Sequence, residues 1–320
     1  MFRPSRTGFA FFALLAVLLT SQFGLALLAQ LLWPAITTHS LYVWILSFLP
    51  LYGIALPFCL LVLRKEEVLA RMPDDTSKMT VGGWLLALLM TFGLMFIGSM
   101  IGTMLTTWIG ILRGKPLVNN ISELILNGNL WIIFICTVII APLGEEFIFR
   151  RLLIDRTRKW GDRTAILLSS LMFGAFHLNL HQFFYAFLIG LVLGYVYLRT
   201  GKLRYAVSLH AAINLCGGVF IPWLIRRLQP MLDLYSTGIP ETSAVLETML
   251  SHLPEIALLF GYYALMIGSA IAALILALVC RKRLRFSATV EQPRAVFLDL
   301  GLLLFFVLCA AMMVFSIVSQ

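Results

Sequence analysis

Glu145, Glu146 and Arg150 stand together in the run Gly144-Glu-Glu-Phe-Ile-Phe-Arg150, at the end of a long apolar stretch. A carboxylate and a guanidinium four residues apart share one helical face, so Glu146 and Arg150 can pair. Glu145 lies about 100° further round the same helix and cannot share that pairing equally. One carboxylate is thus tied up structurally, and the other is free to act as a general base. Two further runs, Phe173-Gly-Ala-Phe-His177 and His210-Ala-Ala-Ile-Asn214, add two imidazoles and a carboxamide. The spacing of the second stacks His210 and Asn214 on one side of a helix. No Ser or Cys with a neighbouring base suggests a covalent nucleophile, so the chemistry this set offers is direct attack by an activated water.

The elements that must position these groups are apolar and long. Of the 320 residues, 61% are hydrophobic and 12% charged, against about 25% charged in ordinary soluble domains. Runs of sufficient length to cross a hydrocarbon layer of about 30 Å occupy roughly 9–33, 41–63, 82–112, 130–150, 164–180, 182–199, 203–225, 256–280 and 295–318. The expected fold is therefore all-α: a polytopic transmembrane helix bundle of eight or nine spanning helices, with nine the direct count. Residues 1–320 form a single transmembrane domain, with a core at 130–220 that carries the three motifs. Helical rise puts Glu145, His210 and His177 about 17, 12 and 20 Å below one membrane boundary, depths at which the three could meet. Ionisable groups there cost roughly 2.5–3.5 kcal/mol each on insertion scales, which makes them functional candidates.

A net charge of +9 would suggest a nucleic-acid partner in a soluble protein. Here, 20 of the 24 Lys and Arg fall on alternate connections. The positive-inside rule then places the N-terminus in the cytoplasm and, with nine spans, the C-terminus outside. The partner implied is the lipid bilayer and not a nucleic acid. Arg3 and Arg6 precede the first run as in a signal peptide, but its length and lack of a small-residue cleavage site mark a retained helix. The stretch 151–160 should prolong the fourth helix, its basic residues facing headgroups, and the connection 226–255 is the best placed to hold a short helix. Cys59, Cys136, Cys216, Cys280 and Cys309 have no metal-type spacing and read as small buried hydrophobes, with acylation of Cys280 a minor alternative. His39 and His252 fall in loops, and His181 in a hydrated turn.

Taken singly, each motif has a bland explanation. Paired glutamates can cap a helix end, an intramembrane His usually bonds a neighbouring helix, and a lone His-x-x-x-Asn carries little. Their joint occurrence in this order is far more specific. Glu145-Glu146-x-x-x-Arg150, Phe173-x-x-x-His177 and His210-x-x-x-Asn214 resemble the complete motif set of the CAAX protease and bacteriocin-processing family of intramembrane proteases, over about residues 130–220. The resemblance implies an intramembrane endopeptidase that hydrolyses a membrane-associated peptide or protein, of CAAX or bacteriocin type, in a water-filled cavity open to the cytoplasm. It implies Glu145 as general base, His177 orienting the water, His210 and Asn214 as oxyanion donors, and Glu146 with Arg150 positioning the helix that carries Glu145. Phe173 is the motif's supporting aromatic.

No cofactor follows firmly from this set. Glu145, His177 and His210 could supply three ligands to a divalent zinc ion, although the His-Glu-x-x-His pattern of zinc proteases is absent. Two other functions remain: a membrane binding or immunity protein that keeps these residues without proteolysis, and a proton-coupled transporter. Against the latter, no inverted pair of broken helices is visible. The short connections suit a bacterial plasma membrane protein.

Overall fold

Helix starts follow from capping residues placed just before apolar runs. The side chains of Ser5, Thr80, Asn129, Asn179 and Asp299 each accept a backbone N–H from the first turn of the helix that follows, satisfying donors that the helix itself leaves free. The computed structural model describes residues 5–66, 68, 78–234, 241–280 and 299–320. Every element within them is helical: α1 (Arg6–Leu32), α2 (Tyr42–Leu63), α3 (Val81–Arg113), α4 (Asn120–Asn127), α5 (Leu130–Trp160) and α6 (Asp162–Phe176) in the first half. Then come α7 (Leu180–Thr200), α8 (Leu203–Arg227), α9 (Gln229–Leu234), α10 (Thr242–Ser251), α11 (Leu253–Cys280) and α12 (Leu300–Val318).

Eight of these, α1, α2, α3, α5, α7, α8, α11 and α12, are long and apolar enough to cross a membrane, and the protein is an integral multi-pass membrane protein. The apolar run at 164–180 behaves differently from the other eight. Gly161, with φ of +96°, breaks the chain before it, and Asn179 caps the next helix. That leaves α6 only 15 residues, or about 22 Å. It packs antiparallel to α7, with Gly190 against Ser170 and Gly194 against Ile166. The connection 226–255 carries two short helices, α9 and α10.

Three spans are locally widened, and the cause is a repeated proline. The π-helical segments Leu49–Ala55, Phe134–Ile140 and Cys216–Phe220 each end two residues before a proline: Pro57, Pro142 and Pro222. Proline cannot donate to the carbonyl four residues back, and a widened turn re-satisfies the neighbouring groups inside the span. A fourth widened segment, Phe147–Ile154, follows Glu146 directly. Glu145 and Glu146 therefore sit between irregular turns on α5, Arg150 lies within the second of them, and His210 and Asn214 come just before one on α8.

The site is walled by helices that approach closely. A Cβ on Gly98 of α3 would fall 2.4 Å from the Tyr185 Cα of α7, so only glycine permits this contact. Gly98→Val is expected to force the two helices apart and cost about 3 kcal/mol or more, read as a lowered thermal unfolding midpoint in detergent.

At the far end of α5 the basic run does not simply face headgroups. Arg158 is buried and pairs with Asp162 at 3.0 Å. Tyr197 donates to buried Asp155, which also pairs with Arg151, and Lys159 reaches Glu66 at 2.9 Å. This polar network fastens α5 to α6 and α7. Cys59, Cys136 and Cys309 are buried and free, Cys216 is half-buried and free, and the Cys280 side chain lies outside the described residues.

Candidate active site

The i, i+4 spacing of Glu146 and Arg150 produces the expected pair, fully buried on α5, with Arg150 Nε 2.8 Å from Glu146 Oε2. Arg150 also donates through Nη1 to Ser169 Oγ of α6 at 2.8 Å, and that hydroxyl donates to the Phe149 carbonyl. Such satisfaction matters, because a charge left unpaired in a low-dielectric interior is strongly destabilising. The guanidinium lies 5.1 Å from the centre of the Phe173 ring, adding a cation–π contact.

Glu146 has a second partner that spacing does not reveal. His210 of α8 places Nδ1 2.9 Å from Glu146 Oε1. An ionised carboxylate only accepts, so Nδ1 carries the proton. The ring's other nitrogen, Nε2, then faces Glu145, 3.8 Å from its Oε2. That separation is too long for a direct hydrogen bond. His210 is buried, whereas the Glu145 side chain is 21% exposed. One carboxylate is held by Arg150 and His210, and the other opens into the remaining space.

His177 ends α6. Its Nδ1 lies 2.8 Å from the Phe173 carbonyl oxygen, which again can only accept, so Nδ1–H donates and Nε2 is left with its lone pair. Phe173 is the shared wall, with His177 edge-on at 5.1 Å between centroids and His210 edge-on at 5.7 Å. Asn214, one turn beyond His210, donates an Nδ2 hydrogen to the Thr137 carbonyl at 2.8 Å. That carbonyl belongs to the widened segment before Pro142, which links α8 back to the helix that bears Glu145. The second Nδ2 hydrogen stays available.

The candidate residues Glu145, Glu146, Arg150, Phe173, His177, His210 and Asn214 therefore gather where α5, α6 and α8 meet. The bonds that hold them involve Ser169 and Thr137, which belong to none of the three motifs. Neither could be found by motif, since both are ordinary small polar residues in apolar runs. His181 belongs to a different wall. It is packed at the start of α7 with Nδ1 3.2 Å from Thr106 Oγ of α3, and its Nε2 is enclosed and not open to a hydrated turn.

Two Nε2 lone pairs and a carboxylate are donors that zinc accepts. However, the described residues contain no group of three or more His, Cys, Asp or Glu side chains arranged to hold a metal ion. As placed, Glu145, His177 and His210 do not form a three-ligand set for a zinc ion.

Residues 127–216 match the family model described as type II CAAX prenyl endopeptidase Rce1-like. This bears out the family resemblance carried by the three motifs and supports a CAAX-type intramembrane protease at the level of the family. No curated protein and no solved structure matches the chain.

Proposed function

With residues 127–216 matching that family, we propose that the protein is an intramembrane endopeptidase that cleaves a membrane-associated peptide or protein by general-base activation of water. The observation that carries the proposal is the approach of Glu145 and His210, from two different spans, to 3.8 Å, with His177 sharing the Phe173 wall. In this reading one water donates a hydrogen to Glu145 and the other to the free Nε2 of His177, leaving its oxygen lone pairs for attack. Glu145 takes a proton as the oxygen adds to the scissile carbonyl carbon, and the carbonyl electron pair moves onto its oxygen. The free Nδ2 hydrogen of Asn214 donates to that oxyanion, as does His210 Nε2 when the ring is an imidazolium balanced by Glu146 on its other side. Each such donor is worth about 3–4 kcal/mol in other acyl-transfer enzymes. Collapse of the intermediate breaks the C–N bond, and the proton on Glu145 passes to the departing nitrogen.

We also place the N-terminus on the cytoplasmic side of a bacterial plasma membrane. Because α6 and α7 run antiparallel, the hairpin returns the chain to the side it left, which preserves the alternation behind the 20-to-4 division of basic residues.

The proposal is tested by comparing peptide termini in membranes that hold the wild-type protein with those that hold Glu145→Ala. New termini confined to the wild type, with an uncut precursor accumulating beside the variant, are expected. Identical terminal profiles, with both proteins present at equal level, would remove the protease reading.

A further inference from the structure

Tyr52 lies far from the motifs in the chain, in the widened segment Leu49–Ala55 of α2. Its ring completes a ladder of aromatic residues spaced one turn apart. Trp44 and Phe48 have centroids 6.0 Å apart, and Phe48 and Tyr52 5.7 Å apart. The ladder delivers the phenol onto the backbone of Gly144, the residue before Glu145. A Cβ at 144 would fall 2.2 Å from Tyr52 Cε1 and 2.3 Å from the Tyr52 hydroxyl oxygen, so the glycine is the cradle that admits the ring. The hydroxyl is enclosed, and among the described residues none accepts or donates a hydrogen bond to it. It also lies within electrostatic reach of the Glu145 carboxylate.

An enclosed O–H with no acceptor forfeits its hydration for nothing in return, and phenylalanine would fill the same space without that cost. The phenol therefore needs an acceptor that comes and goes. The donors supplied by the motifs are partly engaged, because Asn214 spends one Nδ2 hydrogen on the Thr137 carbonyl and His210 spends Nδ1 on Glu146. We infer that the Tyr52 hydroxyl donates to the oxyanion formed beside Glu145, a transition-state donor supplied by α2 from outside the three motifs. The inference deepens the protease reading and rests on it.

The test uses the full-length protein in proteoliposomes, with an internally quenched peptide carrying a prenylated cysteine fourth from its C-terminus as the probe. Tyr52→Phe keeps the ring on Gly144 and removes only the donor. It should lower kcat about 10²–10³-fold, leave KM within about threefold, and leave the thermal midpoint unchanged or raised. Fluorotyrosines at position 52 should change kcat in step with phenol acidity, which a purely structural ring would not do. Wild-type kcat in Tyr52→Phe overturns the inference, and so does a kcat loss matched by lost thermal stability with no response to fluorination. Glu145→Ala run alongside separates the two levels. If Glu145→Ala is dead while Tyr52→Phe is fully active, only the role of Tyr52 fails. If the wild type leaves the probe uncut and membranes that hold it show no peptide termini beyond those with Glu145→Ala, or if Glu145→Ala cuts the probe equally, the protease reading fails and the inference with it.

Discussion

Glu145→Gln is expected to lower kcat for peptide cleavage by about 10²–10⁴-fold, the range that a positioned general base contributes, with KM little changed. The substitution keeps the shape of the side chain and removes its basicity. Its structural cost should be small, because Glu145 is partly exposed and stands 3.8 Å from its nearest cationic candidate, His210, so no tight ion pair is broken. A thermal midpoint within about 2 °C of wild type is the companion expectation, since the isosteric change breaks no tight ion pair and should shift stability by only about 0.5 kcal/mol. The variant also separates the competing functions. A binding or immunity protein would keep full biological protection in Glu145→Gln, because sequestration needs no base. A proton-coupled transporter would lose activity, but its wild type would yield no cleaved peptide. Cleavage by purified wild-type protein, lost in Glu145→Gln with folding intact, is consistent with the protease alone. Undiminished cleavage by the variant would take Glu145 out of the mechanism.

The multi-span architecture was legible because lipid imposes a simple demand: every backbone group must be satisfied internally over about 20 residues. Hydropathy reads that demand directly, and eight of the nine apolar runs are full-length spans. It could not tell that the run at 164–180 yields a helix of 15 residues, because the break depends on the backbone at Gly161 and the cap at Asn179 and not on apolar content. The pairing of Glu146 with Arg150 was legible because it is local to one helix. Its bond to His210 joins residues 64 apart in the chain, a tertiary fact for which no periodicity exists. The widened turns were written in Pro57, Pro142 and Pro222, and prolines inside long apolar runs were the signal that could have revealed them. Tyr52 was hidden for another reason. A tyrosine in an apolar span reads as ordinary packing until Gly144 is seen beneath its ring.

Arg150→Met is expected to cost about 3–5 kcal/mol, the usual consequence of removing one partner from a buried ion pair, and to deplete the protein from the membrane. The reason is visible in the geometry. Glu146 is fully buried, so without Arg150 its charge keeps only His210 as partner, and Ser169 loses its donor as well. Glu146→Met should be comparably costly, because it strands a guanidinium that is equally inaccessible. The double variant Glu146→Met, Arg150→Met removes both charges and should be more stable than the sum of the single costs by about 2 kcal/mol, within the coupling range of contacting residues. Activity should not follow stability. With Glu146 gone, His210 Nδ1 loses its acceptor and the ring loses the carboxylate that balances its positive charge, so Nε2 is no longer held as a donor beside Glu145. The double variant is therefore expected to fold and insert, yet to cleave at least about tenfold more slowly, what the loss of a hydrogen bond to a charged group worth about 1.5 kcal/mol would cost. Thermal unfolding in detergent and single-turnover cleavage measure the two effects separately. Wild-type cleavage by a stable double variant would show that the pair holds α5 against α6 and nothing more, and that His210 needs no carboxylate behind it.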